Sequence, residues 1–145
     1  GLGVFVLVRT SNPDSDEVQS QMLASGESVA QSMAGIVRTI GKGFGGASGM
    51  SDAGAVVGLT KFADGRKLRE LMPEQVFLVP GYGAQGGGAS DLKPLLTTNT
   101  ELPGRGVLVN ASRSVIYAEP SANESWQDAV ARAAKAMHAD LASVM

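Results

Sequence analysis

The feature that most constrains the fold of this chain is a fourfold alternation of continuous apolar segments with amphipathic ones. The apolar segments lie at residues 4–8, 53–59, 76–79 and 106–110. None of them alternates apolar with polar side chains, which is typical of strands that are covered on both faces, as in parallel sheets. The sequence therefore predicts an α/β protein whose parallel strands are connected by helices.

Two of the amphipathic segments have helical spacing over more than ten residues. In residues 29–40 the apolar positions are Val29, Met33, Ile36, Val37 and Ile40. In residues 125–144 the apolar positions are Trp126, Val130, Ala133, Met137, Leu141 and Val144. We expect each set to form the buried face of a helix.

Two shorter segments are also predicted to be helical. One ends before Pro73, and its solvent-facing residues are expected to be Arg66, Lys67, Arg69 and Glu70. The other begins at Ser90 or Asp91 as its cap, and Pro94 falls early enough in it to be tolerated. Its apolar residues are Leu92, Leu95 and Leu96.

Two architectures accommodate four such units. One is a small doubly wound sheet, and the other is part of a (β/α)8 barrel, whose usual length of about 250 residues makes this chain about half a barrel. In both, functional residues follow the carboxyl ends of the strands. The segments to inspect are therefore 9–12, 60–62, 80–88 and 110–114.

Composition excludes several classes of partner. The 12 Lys and Arg residues against 14 Asp and Glu give a net charge of −2 without a basic block, so we expect no binding to nucleic acid or to an anionic membrane surface. No apolar stretch approaches the roughly 18 residues of a membrane span. The absence of Cys excludes disulfides, thiolate metal sites and a Cys nucleophile, and it agrees with a cytoplasmic protein.

A glycine-rich segment follows the third predicted strand. Residues 81–86 have the GxGxxG spacing of a dinucleotide-binding fingerprint. However, the next helix begins only near Ser90, and no acidic residue that would bind a ribose follows the fourth strand. The segment is therefore either a flexible surface loop or a loop whose amides bind an anion.

Arg113 is the sharpest single candidate for binding an anion. It follows the fourth strand beside the glycine-rich loop, where its guanidinium can pair with a phosphate, and Ser112 and Gln85 add polar groups nearby. In barrels the loops after strands seven and eight often form a phosphate site. The alternative is an ordinary ion pair of Arg113 with Glu119 or Asp91.

The remaining polar residues give weaker signals. Thr10 and Ser11 offer hydroxyl groups after the first strand, although such a pair also begins a turn into Pro13. We expect His138 at the surface. Three acidic residues are interpreted as a solvated helix start: Asp14, Asp16 and Glu17. No metal-ligand set or catalytic motif lies near a strand end, so the residues indicate a phosphate-type binding surface without a catalytic residue.

Four segments resemble the orotidine 5'-phosphate decarboxylases. Residues 78–87 (LVPGYGAQGG) and 109–117 (VNASRSVIY) look like the last two strand and loop motifs of that family. Residues 6–13 and 54–58 resemble strands five and six of its longer, type 2 bacterial subfamily. The resemblance implies that residues 1–145 form one segment, the C-terminal half of a (β/α)8 barrel with strands five to eight.

The family resemblance also implies an activity. These enzymes convert orotidine 5'-monophosphate (OMP) to UMP and carbon dioxide in pyrimidine biosynthesis, without a metal or a cofactor and as homodimers. By this resemblance Gln85 and Arg113 bind the substrate phosphate, helped by the backbone amides of Gly86, Ser112 and Arg113.

Further roles follow from the same resemblance. Thr10 or Ser11 would contact the pyrimidine ring, and Pro80 would shape the base of the pocket. The loop at residues 81–88 would close over the bound nucleotide.

The family's catalytic Lys and Asp cluster belongs to strands two and three, and no segment here matches it. The chain also lacks an initiator Met. We therefore expect it to act with an N-terminal half that this sequence does not contain. The alternative is a non-catalytic module of four βα units that binds a phosphate ligand and that dimerises or closes its sheet differently.

Overall fold

Four strands form one parallel sheet in the computed structural model, which describes residues 2–97 and 105–145. The strands are β1 (Val4–Arg9), β2 (Ser51–Val57), β3 (Gln75–Val79) and β4 (Val107–Val109). Their order in the sheet is their order in the chain. A doubly wound sheet reverses its strand order at a switch point, whereas a barrel does not, so the sheet has the topology of four consecutive barrel strands.

The α-helices α1 (Asp16–Gln19), α2 (Val29–Gly41) and α3 (Phe62–Leu71) lie between strands, and α4 (Trp126–Ala142) follows β4. One predicted helix differs in type: Ala89–Leu95 is a 3-10 helix and not an α-helix. Pro94 lies in the second turn of this short segment and offers no N–H to an α-helical ladder. Neither Ser90 nor Asp91 is the cap residue, because the helix begins after Gly88.

The core lies between the sheet and the helices. Phe77 and Val79 of β3 are fully buried, as are Ala34 and Val37 of α2 and Leu68 of α3. Successive right-handed connections return the chain to the same side of a sequentially ordered sheet, so all these helices cover one face.

The opposite face of the sheet is open and apolar. Strand register places Leu7, Val56, Leu78 and Leu108 side by side in one row across the sheet. Leu7 is 62% exposed and Leu108 53%. The expectation that the strand at residues 4–8 is covered on both faces is therefore wrong for this chain, because no helix among residues 2–97 and 105–145 packs on that side.

Arg69 contradicts the sequence prediction that it faces solvent. Only 2% of the residue is exposed. Its guanidinium stacks on the Phe77 ring, 3.6 Å from the centroid, and donates hydrogen bonds of 2.8–2.9 Å to four backbone carbonyls. These carbonyls belong to Met72, Gln75, Leu95 and Gly106. Burial lowers the pKa of Arg69 to about 10.

Helix α4 packs loosely along the predicted stripe. Val130, Met137 and Leu141 are half-buried, while Ala129 is fully buried. Trp126 is 66% exposed, so its predicted place on the buried face is wrong. His138 is exposed, which confirms the prediction for it. Within residues 2–97 and 105–145, no helix has the length and hydropathy that crossing a membrane requires.

Candidate functional site

The segments that follow the four strands meet at one edge of the sheet. The Gly58 N–H donates to the Arg9 carbonyl (2.6 Å), and the Leu59 N–H donates to the Pro80 carbonyl (2.8 Å). Beyond β3 and β4, the Asn110 N–H donates to the Val79 carbonyl (3.2 Å). Carboxyl ends of parallel strands share one edge, so the sequence-predicted segments come together as expected.

Two adjoining cavities open at this edge. The first, of about 150 Å³, is lined by Pro80, Gln85, Ser112 and Arg113 among others. The second, of about 480 Å³, lies against Ser11 and shares Gln85 and Arg113 with the first. Gln85 and Arg113 therefore stand between a cavity at the base of the loops and a larger one beside the end of β1.

Arg113 presents an uncompensated positive charge to both cavities. It is exposed, and it forms no ion pair within the part of the chain that the structure describes. The alternative partner Asp91 instead accepts a hydrogen bond from the Gly88 N–H (2.9 Å). A free guanidinium beside a cavity is suited to bind a phosphate in a bidentate manner.

The residues around Arg113 form a single π-helical turn, Ser112–Ile116, directly after β4. The Tyr117 N–H closes it by donating to the Ser112 carbonyl (3.3 Å). The first N–H groups of such a turn have no partner within it, so the amides of Ser112 and Arg113 are available to a ligand. Isolated π turns occur frequently at functional sites.

The loop at residues 81–88 supplies the facing wall. Gly83 and Gly87 close it through a 2.8 Å hydrogen bond, and a second bond of 2.8 Å joins the Gly86 N–H to the Gly83 carbonyl. Gly86 has a φ of 91°, a left-handed conformation that favours glycine. Gln85 and Gly86 are both exposed at the loop tip.

Tyr82 attaches this loop to helix α4. Its hydroxyl donates to Asp140 Oδ2 over 2.7 Å. Burial and the hydrogen bond with Asp140 together raise the pKa of Tyr82 to about 12. This contact could not be predicted from the sequence, since 58 residues separate the two partners.

The structure separates the two candidate hydroxyl residues after β1. Ser11 lines the larger cavity with Gln85 and Arg113. Thr10 does not line it; the Thr10 hydroxyl lies 2.6 Å from Asn12 Oδ1, and its N–H donates to Gln19 Oε1 (2.9 Å). Thr10 is thus engaged in the turn that leads into Pro13.

A charged network behind Ser11 was also missed from the sequence. Arg9 is 3% exposed and pairs with Asp16 and, over 2.7 Å, with Asp64. Burial disfavours the charge of Arg9, but the hydrogen bonds with Asp16 and Asp64 outweigh it and raise the Arg9 pKa. Lys61 pairs with the other oxygen of Asp16 over 2.6 Å.

The interpretation of Asp14, Asp16 and Glu17 as a solvated helix start is confirmed, because all three are exposed and α1 begins at Asp16. Asp16 also receives hydrogen bonds from Lys61 and Arg9, which hold its pKa well below the usual range. No group of three metal-ligating side chains lies among the described residues.

The fold defines the chain as part of a (β/α)8-barrel protein, with two cavities and an unpaired Arg113 at the carboxyl ends of its strands, among the residues that the structure describes. No protein-family model matches the chain. It is 40% identical to the orotidine 5'-phosphate decarboxylase of Rhodopirellula baltica, over 96% of this chain and 47% of that protein. It is 43% identical to the enzyme of the same name from Caldicellulosiruptor bescii, over 80% of this chain and 36% of that protein.

Solved structures agree with the sequence relatives. Leishmania donovani UMP synthase matches 98% of this chain with a TM-score of 0.74 and 28% sequence identity. The match covers 28% of the length of the UMP synthase chain. Leishmania donovani OMP decarboxylase also matches 98%, with a TM-score of 0.70, 25% identity and 48% of its length covered. The chain therefore spans about half or less of the proteins it matches. The predicted resemblance is confirmed: the matches fit the C-terminal part of an orotidine 5'-phosphate decarboxylase.

Proposed function

We propose that this chain is the phosphate-binding, C-terminal part of an orotidine 5'-phosphate decarboxylase, and that Gln85 and Arg113 hold the 5'-phosphate of OMP. The observation that carries the proposal is the position of these two side chains. They line both cavities at the carboxyl edge of the sheet, and the Arg113 charge is uncompensated among the described residues. The relatives named above support the choice of substrate.

Each residue of the site has a role in this proposal. Arg113 pairs with two phosphate oxygens, while Gln85 and the amides of Ser112 and Arg113 complete the hydrogen bonds. The amide of Gly86, which the resemblance implies as a further donor, instead donates to the Gly83 carbonyl in this structure. Ser11 meets the pyrimidine ring, and Pro80 shapes the base of the smaller cavity. Closure of the loop at residues 81–88 excludes water from the bound nucleotide.

The chain contributes binding energy and not the reacting groups. The Lys and Asp cluster that stresses the substrate carboxylate and protonates the resulting carbanion would come from the N-terminal half of the enzyme. Interactions with the remote phosphate lower the barrier only when they are used to hold the reacting carbon against that cluster. The chain is expected to be inactive without it.

The open sheet face supports the need for a second half of the barrel. Leu7 and Leu108 are more than half exposed on a face whose row of side chains is entirely apolar. In a barrel this face is the packed interior. The proposal also includes a homodimer and a cytoplasmic location. The alternative, a non-catalytic phosphate-binding module, is not favoured, because the curated relatives are named as decarboxylases.

The proposal is tested in the complete decarboxylase that contains this chain. Conversion of OMP to UMP is followed for the parent enzyme and for Arg113→Ala and Gln85→Ala. We expect the KM for OMP to rise about tenfold or more in Arg113→Ala, because a charge-assisted hydrogen bond to phosphate is lost. The matched control is Arg105→Ala, since Arg105 is also exposed but lies before β4, at the opposite edge of the sheet. An unchanged KM in both site variants would refute the phosphate assignment.

A further inference from the structure

The short segment that follows β2 lines the larger cavity beside Ser11, through Thr60 and Lys61. Its Gly58 N–H bonds to the end of β1 at the Arg9 carbonyl (2.6 Å). Its Leu59 N–H bonds to the Pro80 carbonyl (2.8 Å), at the base of the glycine-rich loop. Residues 60–62 lie at a strand end, and none of them has a role in the proposed function.

Within this segment both Thr60 and Gly58 contact the backbone of Ser11. The Thr60 hydroxyl donates to the Ser11 carbonyl over 2.9 Å. A Cβ placed on Gly58 would lie 2.6 Å from the Ser11 nitrogen and 2.7 Å from its Cα, closer than any real contact. The absence of a side chain at position 58 therefore allows Ser11 to pack directly against the backbone of this segment.

The next residue, Lys61, makes a second attachment to the same part of the chain. Its ammonium group pairs with Asp16 over 2.6 Å, and Asp16 is paired with the buried Arg9. Only 15% of the Lys61 side chain is exposed. The turn that carries Ser11 is thus fixed at its start by Thr60 and at its end by Lys61.

From these contacts we propose that Thr60 is a positioning residue for Ser11, and that it acts on recognition of the pyrimidine ring and not of the phosphate. The inference rests on the proposed function, since the contact of Ser11 with the ring is part of it. A serine hydroxyl in a turn binds tightly only if its backbone is already held in the bound position. Thr60 provides this because its hydroxyl bonds to the Ser11 carbonyl and not to the Ser11 side chain, and Ser11 lines the larger cavity.

The test compares two ligands in the complete decarboxylase. UMP carries ring, ribose and phosphate, whereas ribose 5-phosphate lacks the ring. Thr60→Val removes the hydroxyl and keeps the shape of the side chain. We expect it to weaken UMP binding about fivefold and to leave ribose 5-phosphate binding unchanged. Thr60→Ser keeps the hydroxyl and is expected to restore UMP affinity to within about twofold of the parent.

A matched control comes from α2. The Thr39 hydroxyl also donates to a backbone carbonyl, that of Gly35, over 2.8 Å, but Thr39 lines neither of the two cavities at the carboxyl edge of the sheet. Thr39→Val should change neither affinity. If Thr60→Val does not fold, Thr60→Ala replaces it with the same expectations.

A double-substitution cycle separates positioning from a general structural role. If Thr60 acts through Ser11, Ser11→Ala combined with Thr60→Val should lose no more UMP affinity than Ser11→Ala alone. Additive losses, an unchanged UMP affinity, or equal weakening of both ligands would overturn the inference. Failure of the parent enzyme to bind either ligand is a different result, and it would refute the proposed function itself.

Discussion

Two arginines of this chain are buried, and each is satisfied in a different way. Arg69 is surrounded by backbone carbonyls at the amino-terminal edge of the sheet, whereas Arg9 is paired with two carboxylates at the carboxyl edge. A buried guanidinium without partners costs several kcal/mol, so both networks must be complete for the fold to tolerate them. Arg113, by contrast, is exposed and unpaired among the described residues, as a ligand-binding cation should be.

Removal of the Arg69 guanidinium tests its structural role. In Arg69→Met four buried carbonyls each lose one donor. Among the described residues, only the Gly106 carbonyl also accepts from a backbone N–H outside the regular elements, that of Phe77. We expect the free energy of unfolding to fall by about 3 kcal/mol. Urea denaturation measures the change. The control is Arg66→Met on the exposed side of α3, which should cost no more than about 0.5 kcal/mol. Equal losses in the two variants would show that the carbonyl network is unimportant.

The burial of Arg69 and the pairing of Asp16 could not be predicted from local sequence. Both lie in polar stretches, and polar stretches are usually solvated. Their partners are distant in sequence: the Arg69 guanidinium reaches Gly106, and Asp16 reaches Lys61, 45 residues away. Gln85, Ser112 and Arg113 could be singled out because strand ends in parallel sheets are informative without knowledge of contacts.

At the scale of elements, the final helix positions the loop that faces Arg113. The Tyr82 hydroxyl bonds to Asp140 of α4, and Tyr82 lies within the loop, next to Gly81 and Gly83. The π-helical turn also packs against this helix. Helix α4 therefore restrains both walls of the smaller cavity, although its own sequence carries no motif.

Loss of the Tyr82 hydroxyl should loosen the loop. In Tyr82→Phe we expect faster amide hydrogen exchange at residues 83–87 and UMP binding that is weaker by about fivefold, because one hydrogen bond that orders the loop is lost. The control is Tyr117→Phe, since the Tyr117 side chain is 73% exposed beside the π-helical turn. Unchanged exchange in Tyr82→Phe would contradict a restraining role for α4.

The start of α4 gives a pH-dependent contribution to stability. Hydrogen bonds from Arg132 and from the Ser121 N–H lower the pKa of Glu124 from 4.5 to about 2. A carboxylate whose pKa is lower in the folded than in the unfolded state stabilises the fold fully at a pH above its unfolded pKa. This stabilisation is lost as the pH falls through its folded pKa. The difference in Tm between the parent and Glu124→Gln should therefore shrink between pH 4.5 and pH 2. A difference that stays constant over this range would contradict the assignment, and Glu119→Gln serves as the exposed control.

The elements themselves were largely predictable. The apolar runs at residues 4–8 and 76–79 correspond to β1 and β3. Continuous apolar runs of this length are typical of strands, because buried helices are usually longer. The strand predicted at residues 53–59 instead begins at Ser51 and ends at Val57, and Leu59 lies in a 3-10 turn. That shift depends on the bonds of residues 58 and 59 to neighbouring strand ends, which no local pattern encodes.

At the scale of the whole molecule, the open face of the sheet indicates that the chain associates with a further protein segment. Sequential strand order and helices on one face produce a row of apolar side chains of the kind that a closed barrel buries. An uncovered apolar face of this kind is a site of association. The proposal of a complete decarboxylase follows from this face together with the phosphate-type site.

A charge on the open face distinguishes a barrel interior from an ordinary surface. In this chain alone, Leu108→Asp should have little effect on the Tm, because Leu108 is already 53% exposed. In the complete decarboxylase the same substitution should cost several kcal/mol, since an unpaired carboxylate enters a packed interior. Thermal unfolding gives the Tm change caused by Leu108→Asp in each of the two proteins. An unchanged Tm in the complete enzyme would contradict the half-barrel assignment.

The most direct test of the central claim, that Arg113 binds the substrate phosphate, compares UMP with uridine. Dissociation constants are measured for the complete decarboxylase and for its Arg113→Ala variant. Loss of the guanidinium should weaken UMP binding by about tenfold to a hundredfold and leave uridine binding nearly unchanged, because only UMP carries the phosphate. An equal change for the two ligands, or none for UMP, would contradict the claim.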